Sequence, residues 1–181
     1  MRILGIPGSL RRLSYNRGML EAARELAPDG LEIEITDILP IPPYNGDVEA
    51  EGIPAPVQAF KARIEAADAL LFATPEYNHL MPGVLKNAID WASRPPSALR
   101  RKPAAIMGAS AGTSGTSRAQ LSLRQVLAAT ECYVLPAPQV LVASARDRFD
   151  ANSRLTDEPA RRMIRSLLEA LPEWIERFRP R

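Results

Sequence analysis

Within five residues, Pro75 to His79, the chain places a carboxylate (Glu76), a phenol ring (Tyr77), an amide (Asn78) and its only imidazole (His79). The apolar stretch Ala69 to Thr74 runs directly before them, and Pro82, Gly83 and apolar residues at helical spacing (Val84, Leu85, Ala88, Ile89) follow. The pattern is strand, loop, helix. In an open α/β sheet the loops at the carboxyl ends of strands line the ligand crevice, so this set of groups suits a cofactor-binding loop.

Two further segments have the same build. Arg2 to Ile6 is a short apolar strand candidate, and Pro7 to Asn16 leads from it into a helical pattern at Met19, Leu20, Ala23 and Leu26. Gly8 permits a tight turn, Ser9 and Ser14 bring hydroxyls, and Arg11 brings a guanidinium fork. Ser14 can also cap the helix, whose free N–H groups and positive dipole end favour an anion. These are the parts of a monophosphate cradle; taken alone they fit an ordinary helix cap with solvated arginines equally well. Ala104 to Gly108 is the third apolar run, and Ala109 to Gln120 connects it to a helix carrying Leu123, Val126 and Leu127. Three strand-to-helix turns rich in small, polar and flexible residues are more specific together than any one alone.

The motifs G-S-L-R-x-x-S-x-N at Gly8 to Asn16, P-E-Y-N-H-x-x-P-G-x-L-K-N-A-I-D-W at Pro75 to Trp91 and G-x-S-x-G-x-x-G-x-x-R-x-Q at Gly108 to Gln120 resemble those of the NADPH-dependent FMN reductase family, which includes quinone and chromate reductases. The likeness runs in order through residues 1 to about 145. Pro7 departs from it, standing where family members often carry serine or another small residue. The resemblance implies bound FMN, with NADPH or NADH as electron donor. It assigns Ser9, Arg11, Ser14 and Asn16 to the 5′-phosphate, through charge-assisted and neutral hydrogen bonds. Pro75, Glu76, Tyr77 and Asn78 would line the isoalloxazine ring, and Ser110 and Gly112 would close the site from the next strand. Reduced nicotinamide would pass hydride to flavin N5 and leave, and a small-molecule acceptor (quinone, azo compound, chromate or free flavin) would then take its place in a ping-pong cycle. The flavin carries that chemistry, so neither a catalytic side chain nor a metal is expected.

Some residues keep a second reading. The Glu76 carboxylate can instead cap the local turn or pair with an arginine, leaving only its backbone in the site. His79 is assigned a structural or subunit-contact role, and Arg118 either binds cofactor or dinucleotide phosphate or stabilises its helix and the dimer. Two alternatives to a reductase belong to other classes. A flavodoxin-type electron carrier has a hydroxyl- and glycine-rich phosphate loop and an acidic surface, whereas this chain has Arg11 and Arg12 there and a net charge of +2. A flavin-free interaction module is opposed by candidate contacts in all three loops.

Around these loops the chain alternates strand and helix. Strands are predicted near 2–6, 31–36, 69–74, 104–108 and 132–142, the last interrupted by Pro136 and Pro138; helices are predicted near 15–27, 54–67, 83–93, 116–129 and 157–178. The alternation predicts an α/β fold, a flavodoxin-like three-layer sandwich with a five-stranded parallel sheet in the order 2-1-3-4-5 and helices on both faces. With 181 residues and 46% hydrophobic content, one domain spanning 1–181 is expected. The proline-rich stretch Leu39 to Asp47 must be extended or turning, Ala143 to Ser153 reads as a mobile loop or a subunit contact, and Pro172 should kink the last helix.

Charge of both signs is interspersed, which does not indicate nucleic-acid or membrane-surface binding. The absence of a long apolar run or a leader pattern predicts a cytoplasmic protein. Cys132 is the only cysteine, excluding an intrachain disulfide or a cysteine metal site, and reads as a buried strand residue. The helix from Gly83 has an apolar surface wider than one stripe, and the helix from Thr116 adds Leu121, so a homodimer or tetramer is expected. The family resemblance implies that His79, Asn87 and Trp91 approach the partner's site, with Trp91 equally readable as internal core.

Overall fold

A computed structural model describes residues 1–179. Strands β1 (Arg2–Pro7), β3 (Ala69–Ala73) and β4 (Pro103–Ala109) are buried almost throughout, as expected of central parallel strands covered on both faces. With β2 (Glu32–Ile35) and β5 (Tyr133–Val134) they form a parallel sheet in the order β2-β1-β3-β4-β5, the predicted flavodoxin-like order. Register places Pro7 beside Ala73 and Ala73 beside Met107. The carboxyl ends of β1, β3 and β4 therefore stand level, and their loops emerge side by side.

Alternating side chains divide the core between two layers. Ile3, Leu71 and Met107 face helices α1 (Tyr15–Leu26) and α6 (Glu158–Glu176), through Met19, Leu20, Leu167 and Leu168. Leu4, Leu70, Phe72 and Ile106 face α3 (Ala55–Ala66), α4 (Gly83–Ser93) and α5 (Ser117–Ala129), through Phe60, Leu85, Ile89 and Leu123. Each such side chain contributes about 1.5–3 kcal/mol on burial, against about 0–1 kcal/mol for an exposed ion pair such as Arg100–Glu131. The apolar pattern, not surface charge, decides the layering. Among the described residues no helix is long and apolar enough to cross a membrane.

The structure adds to the sequence expectation at several points. The interruption expected in the last strand divides it in two: β5 pairs with Pro103 and Ala104, while β6 (Val140–Val142) pairs with Met107 to Ala109 farther along the same edge of β4. Pro136 and Pro138 lie between them and have no N–H to offer the ladder. A short helix, α2 (Gly46–Glu51), follows the proline-rich stretch, its first turn held by Asn45, whose side chain accepts from the Asp47 amide. That stretch is strapped to α4, because Asn87 Nδ2 and Trp91 Nε1 both donate to the Pro42 carbonyl and the Tyr44 amide donates to Asn87 Oδ1. Trp91 is 0% exposed. Trp91 thus takes the internal-core reading, and Asn87 holds the proline-rich stretch from within the chain. Helix α6 runs on through Pro172, capped by Asp157 at its start and fastened near its end by Trp174 Nε1 donating to the Tyr133 carbonyl.

Candidate functional site

The loops after β1, β3 and β4 are joined by three pairwise ties. Gly8, just beyond β1, donates its amide to the Ala73 carbonyl at 2.8 Å. A Cβ on Gly8 would stand 3.2 Å from that oxygen and from Pro75 Cδ, so the first loop lies flush against the second. Asn16 makes the second tie. It is 2% exposed, with Nδ2 donating to the Ala109 carbonyl and Oδ1 accepting from the Ala109 amide, both at 2.9 Å. Sequence reading puts Asn16 on a phosphate; the structure instead engages both ends of its amide at the end of β4.

Glu76 makes the third tie. Helix α5 has no side-chain cap of its own: Thr116 precedes it in a left-handed conformation, and Thr116 Oγ1 accepts from Gln120 Nε2. The Glu76 carboxylate fills the gap from the neighbouring loop, accepting from the Arg118 and Ala119 amides at 3.1 Å, from Ser114 Oγ at 3.2 Å and from Arg118 Nε at 2.9 Å. Burial alone would lift this carboxyl, but the Ala119 amide, the Arg118 guanidinium and the Ser114 hydroxyl outweigh it and hold the group below the usual glutamate range. An anion at a helix N-terminus also meets the positive end of the dipole. Both Glu76 and Arg118 are engaged in this latch.

The remaining groups face the crevice. Ser9 and Ser14 are buried; Ser9 Oγ accepts from the Arg11 amide and Ser14 Oγ from the Arg17 amide at the start of α1, both at 3.3 Å. Neither hydroxyl donates to a protein group among the described residues, so each retains its proton for an acceptor. Arg11 is exposed, with one contact from Nη2 to the Leu13 carbonyl at 3.1 Å and its guanidinium 5.7 Å from the Tyr15 ring centre. Two hydroxyls, a largely free guanidinium and a helix N-terminus make a site for a phosphate.

On the opposite side, Pro75 is buried while Tyr77, Asn78 and His79 are exposed. The amides and carbonyls of Tyr77 and Leu80 bond reciprocally at 3.0 Å across a two-residue turn. Asn78 and His79 both take positive φ, 48° and 68°, the conformation such a turn requires at its centre. The turn leaves the Tyr77 residue 50% exposed.

In the loop after β4, the Ser110 amide donates to the Val142 carbonyl and the Ser110 carbonyl accepts from the Ala145 amide, fixing its backbone, yet its buried Oγ has no partner. Leaving such a group unmet costs about 1–3 kcal/mol, which a bound polar edge offsets. Gly112 is open, the nearest atom to an added Cβ being Ser110 Oγ at 4.0 Å. Sequence reasoning missed the part played by Gly108, where a Cβ would lie 2.2 Å from Thr116 Oγ1 and 2.4 Å from the Thr74 carbonyl. Only glycine lets the two loops close there. The hydroxyls and guanidinium of the first loop, with the unmet Ser110 hydroxyl beside open Gly112 in the third, fit a phosphorylated group with a polar edge such as FMN.

The family model described as NADPH-dependent FMN reductase matches residues 1–147. An NAD(P)H-dependent FMN reductase of Pseudomonas aeruginosa is 54% identical over 180 residues, covering 99% of this chain and 97% of that protein. An NAD(P)H:quinone oxidoreductase of Solanum tuberosum is 44% identical over 177 residues, covering 94% and 91%. Among solved structures, the flavoenzyme NAD(P)H:(acceptor) oxidoreductase of Paracoccus denitrificans superimposes with a TM-score of 0.88 at 35% identity, covering 98% of each chain.

Proposed function

Because this chain belongs to the NADPH-dependent FMN reductase family, we propose that its crevice holds FMN in one orientation, phosphate on the first loop and ring between the second and third, and serves quinones as electron acceptors. The protein is an NAD(P)H-dependent oxidoreductase with FMN as its cofactor. When bound, FMN supplies the redox chemistry, taking hydride from the reduced nicotinamide and giving electrons to the acceptor. Ser9, Arg11 and Ser14 hold the phosphate, with the α1 N-terminus adding its dipole. Asn16 acts beneath them, keeping the first loop at a fixed distance from β4. Pro75, Tyr77 and Asn78 line the ring, and Glu76 fixes the width of the slot from its far side.

The observation that carries this placement is the Ser110 hydroxyl, buried and unpartnered beside open Gly112. The exposed face at Tyr77 leaves room for donor and acceptor to enter by turns, and the similarity to quinone oxidoreductases supports quinones as the acceptor class. Assembly through exposed Leu80, Val84 and Leu121, as a homodimer or tetramer, belongs to the same proposal; so does the cytoplasm as its compartment. The test is the visible spectrum of the purified protein, followed by oxidation of NADPH and NADH with a panel of quinone, azo, chromate and flavin acceptors. A flavin spectrum and quinone-dependent turnover are expected; a colourless protein that takes up no FMN overturns the reading.

A further inference from the structure

A second recess opens directly behind the phosphate loop. It is a cavity of about 390 Å³ between α1 and the 150–156 segment, and Ser14 belongs both to its wall and to the loop. Its floor is a close backbone contact: a Cβ on Gly18 would stand 1.9 Å from the Ser153 carbonyl oxygen, so only glycine allows the approach. The carboxylates along the groove are already engaged. Glu21 pairs with Arg24, Glu25 pairs with Arg154 and Arg161, and Asp150 Oδ1 accepts from the Asn152 and Arg154 amides. Arg12 and Arg17 line the same groove, yet among the described residues neither guanidinium has an ion pair or a side-chain hydrogen bond. Arg17 stands one turn before Glu21, whose charge is taken by Arg24. The groove thus holds two guanidiniums without an ion pair beside an opening, with Asp150, bonded only to amides, at the other wall, and the guanidinium pair is a setting for a dianion.

From these observations we propose that the groove binds the phosphate-bearing adenosine end of the dinucleotide donor, with Arg12 and Arg17 holding the 2′-phosphate that distinguishes NADPH from NADH. The inference rests on the reading above, in which FMN phosphate lies on the other side of Ser14 and the nicotinamide lies against the ring. In the proposed arrangement the adenosine half runs past the phosphate loop into this groove, which shares Ser14 with that loop. Arg11 is engaged with the cofactor, so discrimination between donors falls to the next two arginines.

The test uses the FMN-loaded full chain with Arg12→Ser and Arg17→Ser made singly. Each should raise KM for NADPH about tenfold, the loss of one charge-assisted contact, and leave KM for NADH, both kcat values and the flavin spectrum unchanged. Calorimetric binding of 2′,5′-ADP should weaken in parallel while that of 5′-AMP does not change, and Arg17→Lys should restore part of the loss. Equal effects on both donors, no effect on either, or loss of FMN from the variants would each overturn the proposal. If the unmodified protein oxidises neither dinucleotide, the reductase reading itself fails; if it uses both with the same KM, only this inference does.

Discussion

A hydroxyl, an amide and a guanidinium at neighbouring points of the crevice have different fates, and the difference is set by what each already bonds. Ser110 Oγ has no partner, the Asn16 amide is engaged at both ends, and Arg11 makes a single side-chain hydrogen bond, to a carbonyl. Arg11→Ala should therefore weaken FMN binding by about 1.5–3 kcal/mol, the worth of a hydrogen bond to a charged group, in a fluorescence titration, with folding unchanged. Unaltered affinity would leave Arg11 only its contacts with Leu13 and Tyr15. Asn16→Ala acts through the fold: it strands the buried Ala109 amide and carbonyl and should lower stability by about 1–3 kcal/mol in urea unfolding. A variant as stable as the parent would mean the clamp is dispensable. Cys132 is inert for a third reason. Burial pushes its thiol up to about 12 despite the nearby Lys102 and the Tyr133 amide, so alkylation by iodoacetamide at pH 8 should proceed only as the protein unfolds.

Between elements, the Glu76 latch joins the loop after β3 to the start of α5, and its charge makes that junction sensitive to acid. A carboxyl held below its unfolded value contributes stability that is present above the unfolded pKa and lost as pH falls through the folded one. Glu76→Gln should therefore be less stable than the parent at neutral pH, and the difference should shrink as pH drops below the ordinary glutamate range. Parallel stability curves down to pH 3 would show that the carboxylate charge does not matter. This latch was only half legible in the sequence. The pairing of Glu76 with an arginine could be named as an option, but Ser114, Arg118 and Ala119 lie 38 to 43 residues away, and no local pattern selects them. Thr116 is an ordinary cap residue by type, and only the structure shows that its side chain does not cap α5. The sheet was far more readable, because Ala69 to Ala73 and Ala104 to Met107 are apolar runs that only a doubly covered strand explains. Helix α2 escaped notice because it buries no residue and follows three prolines, so no apolar periodicity marks it. The split of the last strand was foreshadowed by Pro136 and Pro138, though not the return of Val140 to the edge of β4.

At the scale of the whole molecule, apolar surface is left uncovered next to the crevice. Leu80 is 57% exposed, Val84 37% and Leu121 70%, and the Met81 amide donates to Ser122 Oγ, which brings the end of the ring-binding loop onto α5 beside Leu121. These side chains come from the turn, α4 and α5, so they form one face shared by the elements that flank the ring. An isologous contact would bury that face twice over in a dimer. Burying an exposed leucine is worth about 1.5–3 kcal/mol, enough for a few such residues on each copy to outweigh part of the cost of association. Leu121→Glu replaces the most exposed of them with a charge that a self-complementary contact must desolvate opposite or near its own symmetry mate. Light scattering across a dilution series should then show the parent as a dimer or larger and the variant shifted toward monomer. The same substitution should loosen FMN without touching Ser9, Arg11 or Ser14, because the partner would form part of the wall over the ring. A variant that dissociates yet keeps FMN and full turnover would separate the crevice from assembly, and a parent that is monomeric and fully active would remove assembly from the account altogether.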